Sequence, residues 1–187
     1  MFNPAIAPDK KNFFFTSSEV HFGERHFYKM ANGSRDRIKL TSMPGNNDVT
    51  PSPDGSRLAI VYSYSNKPLE LYVDGKKLTD SPAEGFKKYP WGDPEIVMVP
   101  ARDGAPVPAR LFKSDCHQRR PAVIFVHGSG YLQNVHKYWR PVTRANTCST
   151  TFSSITAISC SIWITGPAPD MARTGGLQSI ATRAAST

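Results

Sequence analysis

Five consecutive apolar residues, Ala122 to Val126, stand between Pro121 and the turn sequence His127-Gly128-Ser129-Gly130. A short apolar run bounded by turn residues is typical of a β-strand that is covered on both faces, as in α/β sheets. In α/β-hydrolases, the loop that follows such a strand donates a hydrogen bond to an oxyanion. The alternative is an ordinary glycine turn with His127 as a capping or core histidine, and the short motif alone favours neither.

The chain up to Pro90 has a pattern of short β-strands separated by turns. Leu40-Thr41 and Leu78-Thr79 recur 38 residues apart, each after a polar turn and a strand. A period near 40 with several strands per unit is typical of β-propeller blades, and a generic β-meander is the alternative. Two such units cannot close a propeller ring. The predicted β segments here are residues 13–19, 26–30, 37–42, 58–64, 69–73 and 77–82, with turns at 32–34, 53–55 and 74–76.

Residues 91–139 form a second segment of different character. The pattern predicts a hairpin with strands at 95–100 and 107–113 around an Asp103-Gly104 turn. A polar loop then leads into the buried strand at 122–126. The sequence therefore predicts three parts, bounded at 1–90, 91–139 and 140–187.

Composition excludes several classes of function. The net charge of +8 comes from scattered Lys and Arg residues rather than a basic stripe, so a general basic surface is favoured over a nucleic-acid binder. Cys116, Cys148 and Cys160 form no CxxC pair, so neither a metal site nor a disulfide framework is expected. The sequence contains neither a signal-peptide core nor an apolar run of about 20 residues, so no membrane segment is expected. The sequence does not predict the cellular compartment.

Four stretches in this order resemble the prolyl oligopeptidase family of serine peptidases, and in particular its dipeptidyl peptidase IV-like members. They are "SPDGSRLAIVYS", "LTDSP", "YPWGDPEIVMVPARDGAPVPARLF" and "PAVIFVHGSGYLQNVHKYW". The resemblance implies a mixed β and α/β fold, with partial β-propeller blades followed by the first strands of an α/β-hydrolase domain. It also implies peptide substrates, no cofactor, and a role for His127 in binding the oxyanion.

The resemblance implies equally that the catalytic machinery is incomplete. The family's nucleophile lies in a Gly-x-Ser-x-Gly elbow, followed by an acid and a histidine, and this chain contains no such elbow. Ser129 lies in the turn before the elbow's expected place and is not the nucleophile. The prediction is a truncated serine peptidase relative that is inactive as this chain; a propeller-derived peptide- or protein-binding module is the alternative.

Residues 140–187 change character abruptly. Ser, Thr and Ala make up 23 of the 47 residues after Arg140, and neither a helical nor a strand period persists, so a disordered tail is expected. Read with each codon shifted by one base, however, the tail can encode Asp-Tyr-Arg followed by a Ser-Ala-Gly-Tyr loop, as in the family. The hypothesis is that a one-base shift near Trp139 put the tail out of frame.

Overall fold

In the computed structural model, the described residues are 2–113, 122–126, 133, 135–139 and 160–164. They divide into two compact units. The first unit is Met1–Trp91 with His136–Pro141, and the second is Gly92–Val135 with Val142–Thr187. The boundary placed at residue 139 from the sequence did not foresee that His136–Pro141 returns to the first unit.

The first unit contains two four-stranded antiparallel meanders and one short helix, α1. The predicted strand at 58–64 is confirmed with the same bounds, whereas the first and fifth strands and α1 were not predicted. The elements are β1 (Phe2–Ile6), β2 (Asn12–Ser17), β3 (His26–Ala31), β4 (Arg37–Lys39), β5 (Asn46–Pro51), β6 (Leu58–Tyr64), β7 (Lys67–Val73), β8 (Lys76–Lys77) and α1 (Glu84–Lys88).

Tight turns fix the register of the second meander. Gly55 and Gly75 have positive φ angles of 72° and 81°, a conformation that a residue without a Cβ adopts at little cost. They connect β5 to β6 and β7 to β8, at the places where the sequence predicts turns. The local turn chemistry therefore determines the antiparallel pairing on either side.

The two meanders pack against each other through an apolar core. Phe14 and Phe27 of the first meander are buried and stack with their ring centroids 5.3 Å apart. Leu40, and Val49 and Leu58 of the second meander, pack against this pair. Burying side chains of this size is worth roughly 1.5–3 kcal/mol each, so this interface stabilises both sheets.

The repeated Leu-Thr pair has a structural explanation. The Thr41 Oγ1 accepts the backbone N–H of Phe27 at 3.0 Å, and the Thr79 Oγ1 accepts that of Leu71 at 2.9 Å. In each meander the threonine therefore extends the pairing of the third and fourth strands after the fourth strand has ended. The repeat in the sequence thus marks the threonine hydrogen bond that continues the pairing at the edge of each sheet.

The second unit contains a mixed four-stranded sheet of β9 (Glu95–Pro100), β10 (Pro106–Lys113), β11 (Ala122–Val126) and β12 (Cys160–Ile164). Its strand order is β11-β12-β10-β9. β12 pairs parallel to β11 and antiparallel to β10, and β9 pairs antiparallel to β10. The predicted bounds of β9 and β11 are confirmed.

β12 contradicts the prediction that residues 140–187 lack regular structure, at these five positions. The sequence Cys-Ser-Ile-Trp-Ile contains three strong β-formers. Its backbone pairs with β10 on one side and β11 on the other. The backbone N–H and C=O groups along the facing edges of those two strands thereby gain hydrogen-bond partners. The β-propensity of these residues thus acts together with a strand partner on each side. The rest of 140–187 lies outside the described residues.

Candidate functional site

The residue predicted from the sequence to bind an oxyanion, His127, lies outside the described residues, as does Ser129. The strand that precedes them is described: β11 ends at Val126, which pairs with Ile164 of β12. Because β11 and β12 are parallel, their carboxyl ends meet at the same edge of the sheet. In α/β sheets, ligands bind outside this edge. The assignment of His127 therefore stays a prediction.

The first unit contains a polar cluster that the sequence did not predict, made of the buried residues Glu24, His26 and Thr41 and the half-buried Lys137. The Glu24 carboxylate contacts the Lys137 Nζ at 2.8 Å through one oxygen and the His26 Nε2 at 2.9 Å through the other. The His26 Nδ1 lies 3.3 Å from the Thr41 Oγ1. We call these four residues the Glu24 cluster.

The hydrogen bonds of the Glu24 cluster assign the tautomer of His26. The Thr41 hydroxyl has its proton free to donate to the His26 Nδ1, because its oxygen accepts the Phe27 N–H. The Nε2 of a neutral imidazole then carries the proton and donates it to Glu24. Each hydrogen bond from Lys137 to Thr41 then joins one donor to one acceptor.

The order hydroxyl, imidazole, carboxylate is also the order of a catalytic triad. In this cluster, however, Thr41, His26 and Glu24 are only 4%, 2% and 6% exposed. A substrate carbonyl has no approach to a hydroxyl that is buried and already bonded to a backbone N–H. Thr79 repeats the role of Thr41 in the second meander, with Glu70 in contact with its hydroxyl, which favours a structural role.

The electrostatics of the Glu24 cluster favour its charged form. Burial raises the pKa of Glu24, but the hydrogen bonds from Lys137 and His26 and the charge of Lys137 outweigh this, so its pKa is lowered from 4.5. The pKa of the neighbouring His21 is also lowered, first by burial and then by the charge of Lys137, against the opposing effect of Glu24. At neutral pH, Glu24 is thus the buried anion that holds Lys137.

Lys137 reaches Glu24 because residues 136–139, the return segment, pack into the first unit. The Lys137 N–H donates to the Gly23 carbonyl at 2.8 Å, and the Trp139 N–H donates to the Ser63 Oγ at 3.3 Å. The rings of His136 and Tyr138 stack with centroids 3.8 Å apart, and both residues are buried. The return segment therefore contacts both meanders.

Gly45 makes room for the return segment. Its φ is +113°, and a Cβ at this position would lie 2.4 Å from the Ser63 carbonyl oxygen and 3.0 Å from that of Lys137. Both the backbone conformation and the close approach of two carbonyl groups require glycine here. The Pro44-Gly45 pair marks a turn locally, but the contact with Lys137 joins residues 92 apart in the sequence.

An open groove of roughly 320 Å³ lies on the second meander beside α1. Tyr62, Tyr72, Phe86 and Trp91 give it a mainly aromatic wall. The charged groups at its rim are largely paired: the Lys77 Nζ lies 3.6 Å from Glu70 and 3.3 Å from Asp80, and Lys87 contacts Asp80 and Glu84. The groove offers contact area to a ligand, but its lining provides no activated nucleophile.

Within the described ranges, no group of three or more His, Cys, Asp or Glu side chains is arranged to hold a metal ion. Over that same part of the chain, none of the helical structure has the length and apolar character needed to cross a bilayer.

No protein-family model matches the chain, and no curated protein matches it in sequence. In structure, the chain is similar to a crystal structure of dipeptidyl peptidase 4 from Porphyromonas gingivalis, with a TM-score of 0.64 and 18% sequence identity. The similarity covers 83% of this chain and 23% of that protein, so the chain spans less than a quarter of its length. The comparison shows a dipeptidyl peptidase 4-like structural relationship, with antiparallel sheets like those of a β-propeller.

Proposed function

We propose that this chain is part of a serine peptidase of the prolyl oligopeptidase type and that, by itself, it does not hydrolyse peptides. It would comprise two propeller blades, the opening strands of an α/β-hydrolase domain, and the loop that carries His127. The observation that carries the proposal is the succession of two antiparallel meanders and a mixed sheet, together with the structural similarity to a dipeptidyl peptidase.

The mixed sheet supports the α/β-hydrolase part of the proposal. β11 and β12 are parallel and are separated by 33 residues, which is long enough for the crossover connection that parallel strands require. β12 lies between β11 and β10, so the strands are out of chain order, and the β9–β10 hairpin forms an antiparallel edge. α/β sheets with an antiparallel edge are built in this way.

The expected lack of activity follows from the missing nucleophile. In acyl transfer, a serine activated by a histidine attacks the carbonyl, and an oxyanion donor stabilises the tetrahedral intermediate. An oxyanion donor contributes on the order of 10²–10³ to the rate, and only in combination with an attacking group. With His127 as a donor and no Gly-x-Ser-x-Gly elbow, this chain cannot form an acyl-enzyme.

The activity is tested with the purified full chain and a chromogenic Xaa-Pro dipeptide substrate. We expect no release above the rate of buffer alone, and the same result for a His127→Ala variant. Turnover that a serine-directed inhibitor abolishes would refute the proposal of inactivity, because it would require a nucleophile that we do not assign.

The proposed frame shift is tested at the level of the gene. Sequencing across the codons for Trp139 to Pro141 is expected to reveal one base too many or too few relative to the family's frame. An intact frame there would end the hypothesis. β12 does not distinguish the two frames, because the shifted reading also places a strand immediately before its Asp-Tyr-Arg sequence.

A non-catalytic binding module is the second candidate, and the aromatic groove beside α1 favours it. Tyr62, Tyr72, Phe86 and Trp91 would contact an apolar or aromatic segment of a peptide. A Trp91→Ala variant that abolishes peptide binding, measured by fluorescence titration, would support this function. Binding unchanged by that variant would exclude the groove.

A further inference from the structure

The connection between β3 and β4 contains the sequence Asn32-Gly33 in a tight turn. The Ser34 N–H donates to the Ala31 carbonyl at 3.1 Å, and the φ of Gly33 is +81°. A positive φ at the third residue of such a turn is typical of type II. Asn32 and Gly33 are exposed, and a Cβ on Gly33 would meet no atom of the described residues within 4 Å. We call residues 31–34 the Asn-Gly turn.

Two groups in the Asn-Gly turn are free to react with each other. Among the residues that the structure describes, neither the side-chain amide of Asn32 nor the backbone N–H of Gly33 has a hydrogen-bond partner. The backbone N–H of Asn32, in contrast, donates to the Lys11 carbonyl at 2.8 Å. The main chain is therefore held before the reacting groups, and glycine leaves it free to rotate after them.

We propose that Asn32 is a site of spontaneous deamidation. The Gly33 nitrogen attacks the side-chain amide carbon of Asn32, so that a C–N bond forms and the C–N bond to the amide nitrogen breaks. That nitrogen leaves as ammonia and takes up the proton that Gly33 loses. Water then opens the cyclic imide at one of its two carbonyl carbons, which leaves aspartate or isoaspartate at residue 32. The reaction needs only this turn and water, so it depends on no partner.

Three other glycine turns in the chain allow an internal comparison, because an aspartate before a glycine forms the same imide by losing water. They are Asp54-Gly55, Asp74-Gly75 and Asp103-Gly104. At two of them the attacking N–H is already engaged. The Gly55 N–H donates to the Ser52 carbonyl at 2.8 Å, and the Gly104 N–H donates to the Ala101 carbonyl at 3.0 Å.

The aspartates of the second meander are also held in an unreactive form. Asp54 accepts hydrogen bonds from the hydroxyls of Ser52 and Ser56 at 2.5 and 2.7 Å, and these lower the pKa of Asp54 to about 2. The Asp74 carboxylate lies 2.7 Å from the Arg57 Nε, and this contact lowers the pKa of Asp74 as well. An ionised carboxylate does not lose water to form an imide. The structure therefore singles out Asn32 among these turns.

Either product changes the Asn-Gly turn. Aspartate places a negative charge where a neutral amide stood, and isoaspartate also adds one carbon to the main chain. β4, which follows the turn, has three residues, all of them exposed, and lies at the end of the strand order of its sheet. The longer main chain should therefore loosen the pairing nearest the turn, between Met30 and Arg37.

The test is incubation of the full chain in water labelled with heavy oxygen, then digestion with trypsin in ordinary water and mass spectrometry. Opening of the imide adds one solvent oxygen, whether it arose from asparagine or aspartate, and Asn32 lies in its own tryptic peptide, residues 30–35. Each site is measured in the folded chain and in urea. We expect similar rates in both at Asn32, and rates at least tenfold lower in the folded chain at Asp54 and Asp74.

Two substitutions of the same kind complete the test. Asn32→Gln should abolish labelling of the peptide 30–35, because the longer side chain would have to close a less favourable six-membered ring. Asn66→Gln, in the turn between β6 and β7, is the matched control and should leave this labelling unchanged. A folded chain without label at Asn32, although urea permits it, would overturn the proposal. Persistent label in the Asn32→Gln peptide, or equal labelling of Asp54 and Asp74 in both states, would overturn it as well.

Discussion

The ion pair between Glu24 and Lys137 should stabilise the first unit far more than an exposed pair does. The change is a double-mutant cycle of Glu24→Gln and Lys137→Met, in which glutamine keeps the hydrogen bond to His26 and methionine keeps the aliphatic stem. The two side chains are 8% and 28% exposed, and their charged atoms lie 2.8 Å apart. The cycle isolates their coupling from the loss of other contacts.

The magnitude follows from burial and distance. Two charges about 4 Å apart interact by about 4 kcal/mol at an effective dielectric constant of about 20. The cost of burying Glu24 offsets part of this, and hydrogen bonds to charged groups contribute about 1.5–3 kcal/mol net. We therefore expect a coupling free energy of about 1.5–3 kcal/mol at pH 7. Arg57 and Asp74, 66% and 46% exposed and 2.7 Å apart, should couple by less than about 1 kcal/mol.

The assay is urea unfolding followed by tryptophan fluorescence, with the Arg57→Gln/Asp74→Asn cycle as control. Because the pKa of Glu24 is held below 4.5, its contribution is complete above pH 4.5 and is lost as the pH falls through the lowered value. The coupling should therefore be the same at pH 7 and pH 5.5 and disappear in stronger acid. A coupling no larger than that of the exposed control pair would refute the structural role of the cluster.

Three further outcomes are expected. Thr41→Val and Thr79→Val should each lower the free energy of unfolding by about 1–3 kcal/mol, because each leaves a backbone N–H without its acceptor; a loss below 0.5 kcal/mol by urea titration would contradict this. Gly45→Ala should destabilise by more than Gly75→Ala in thermal unfolding, because only at Gly45 would the added Cβ meet a carbonyl oxygen at 2.4 Å; equal effects would argue against that close approach. Burial, then the charge of a nearby glutamate, raises the pKa of Tyr28 to about 12. An absorbance titration compared with that of Tyr28→Phe should therefore place the ionisation of this ring well above pH 10, and its contribution to stability should be lost only as the pH rises from 10 towards 12.

Local chemistry made much of the fold predictable. β6 and β9 have apolar or β-branched residues next to Asp-Gly turns, and these signals depend only on neighbours in the chain. β1 and β5 contain Pro, Asn or Asp and lack such a pattern; they form because β2 and β6 offer them partners. β12 is likewise determined by its two neighbours.

The candidate site was less predictable than the fold, because its contacts are distant in sequence. Glu24 and Lys137 are 113 residues apart, and nothing in the sequence around either residue indicates a partner. The threonines were found as a repeat, but their role in closing the sheets required the hydrogen-bond pattern. His127 was singled out by its place after an apolar strand, and it stays a prediction.

The return segment also determines the order in which the protein can be completed during synthesis. The first 91 residues leave the ribosome before Lys137 and Tyr138 have been translated, so Glu24 is made long before its cation exists. Contacts across so long a stretch of chain form slowly. The two meanders of the first unit must therefore lack their contacts with the return segment until the hairpin of the second unit has emerged. A shortened chain that ends before residue 136 would never form these contacts.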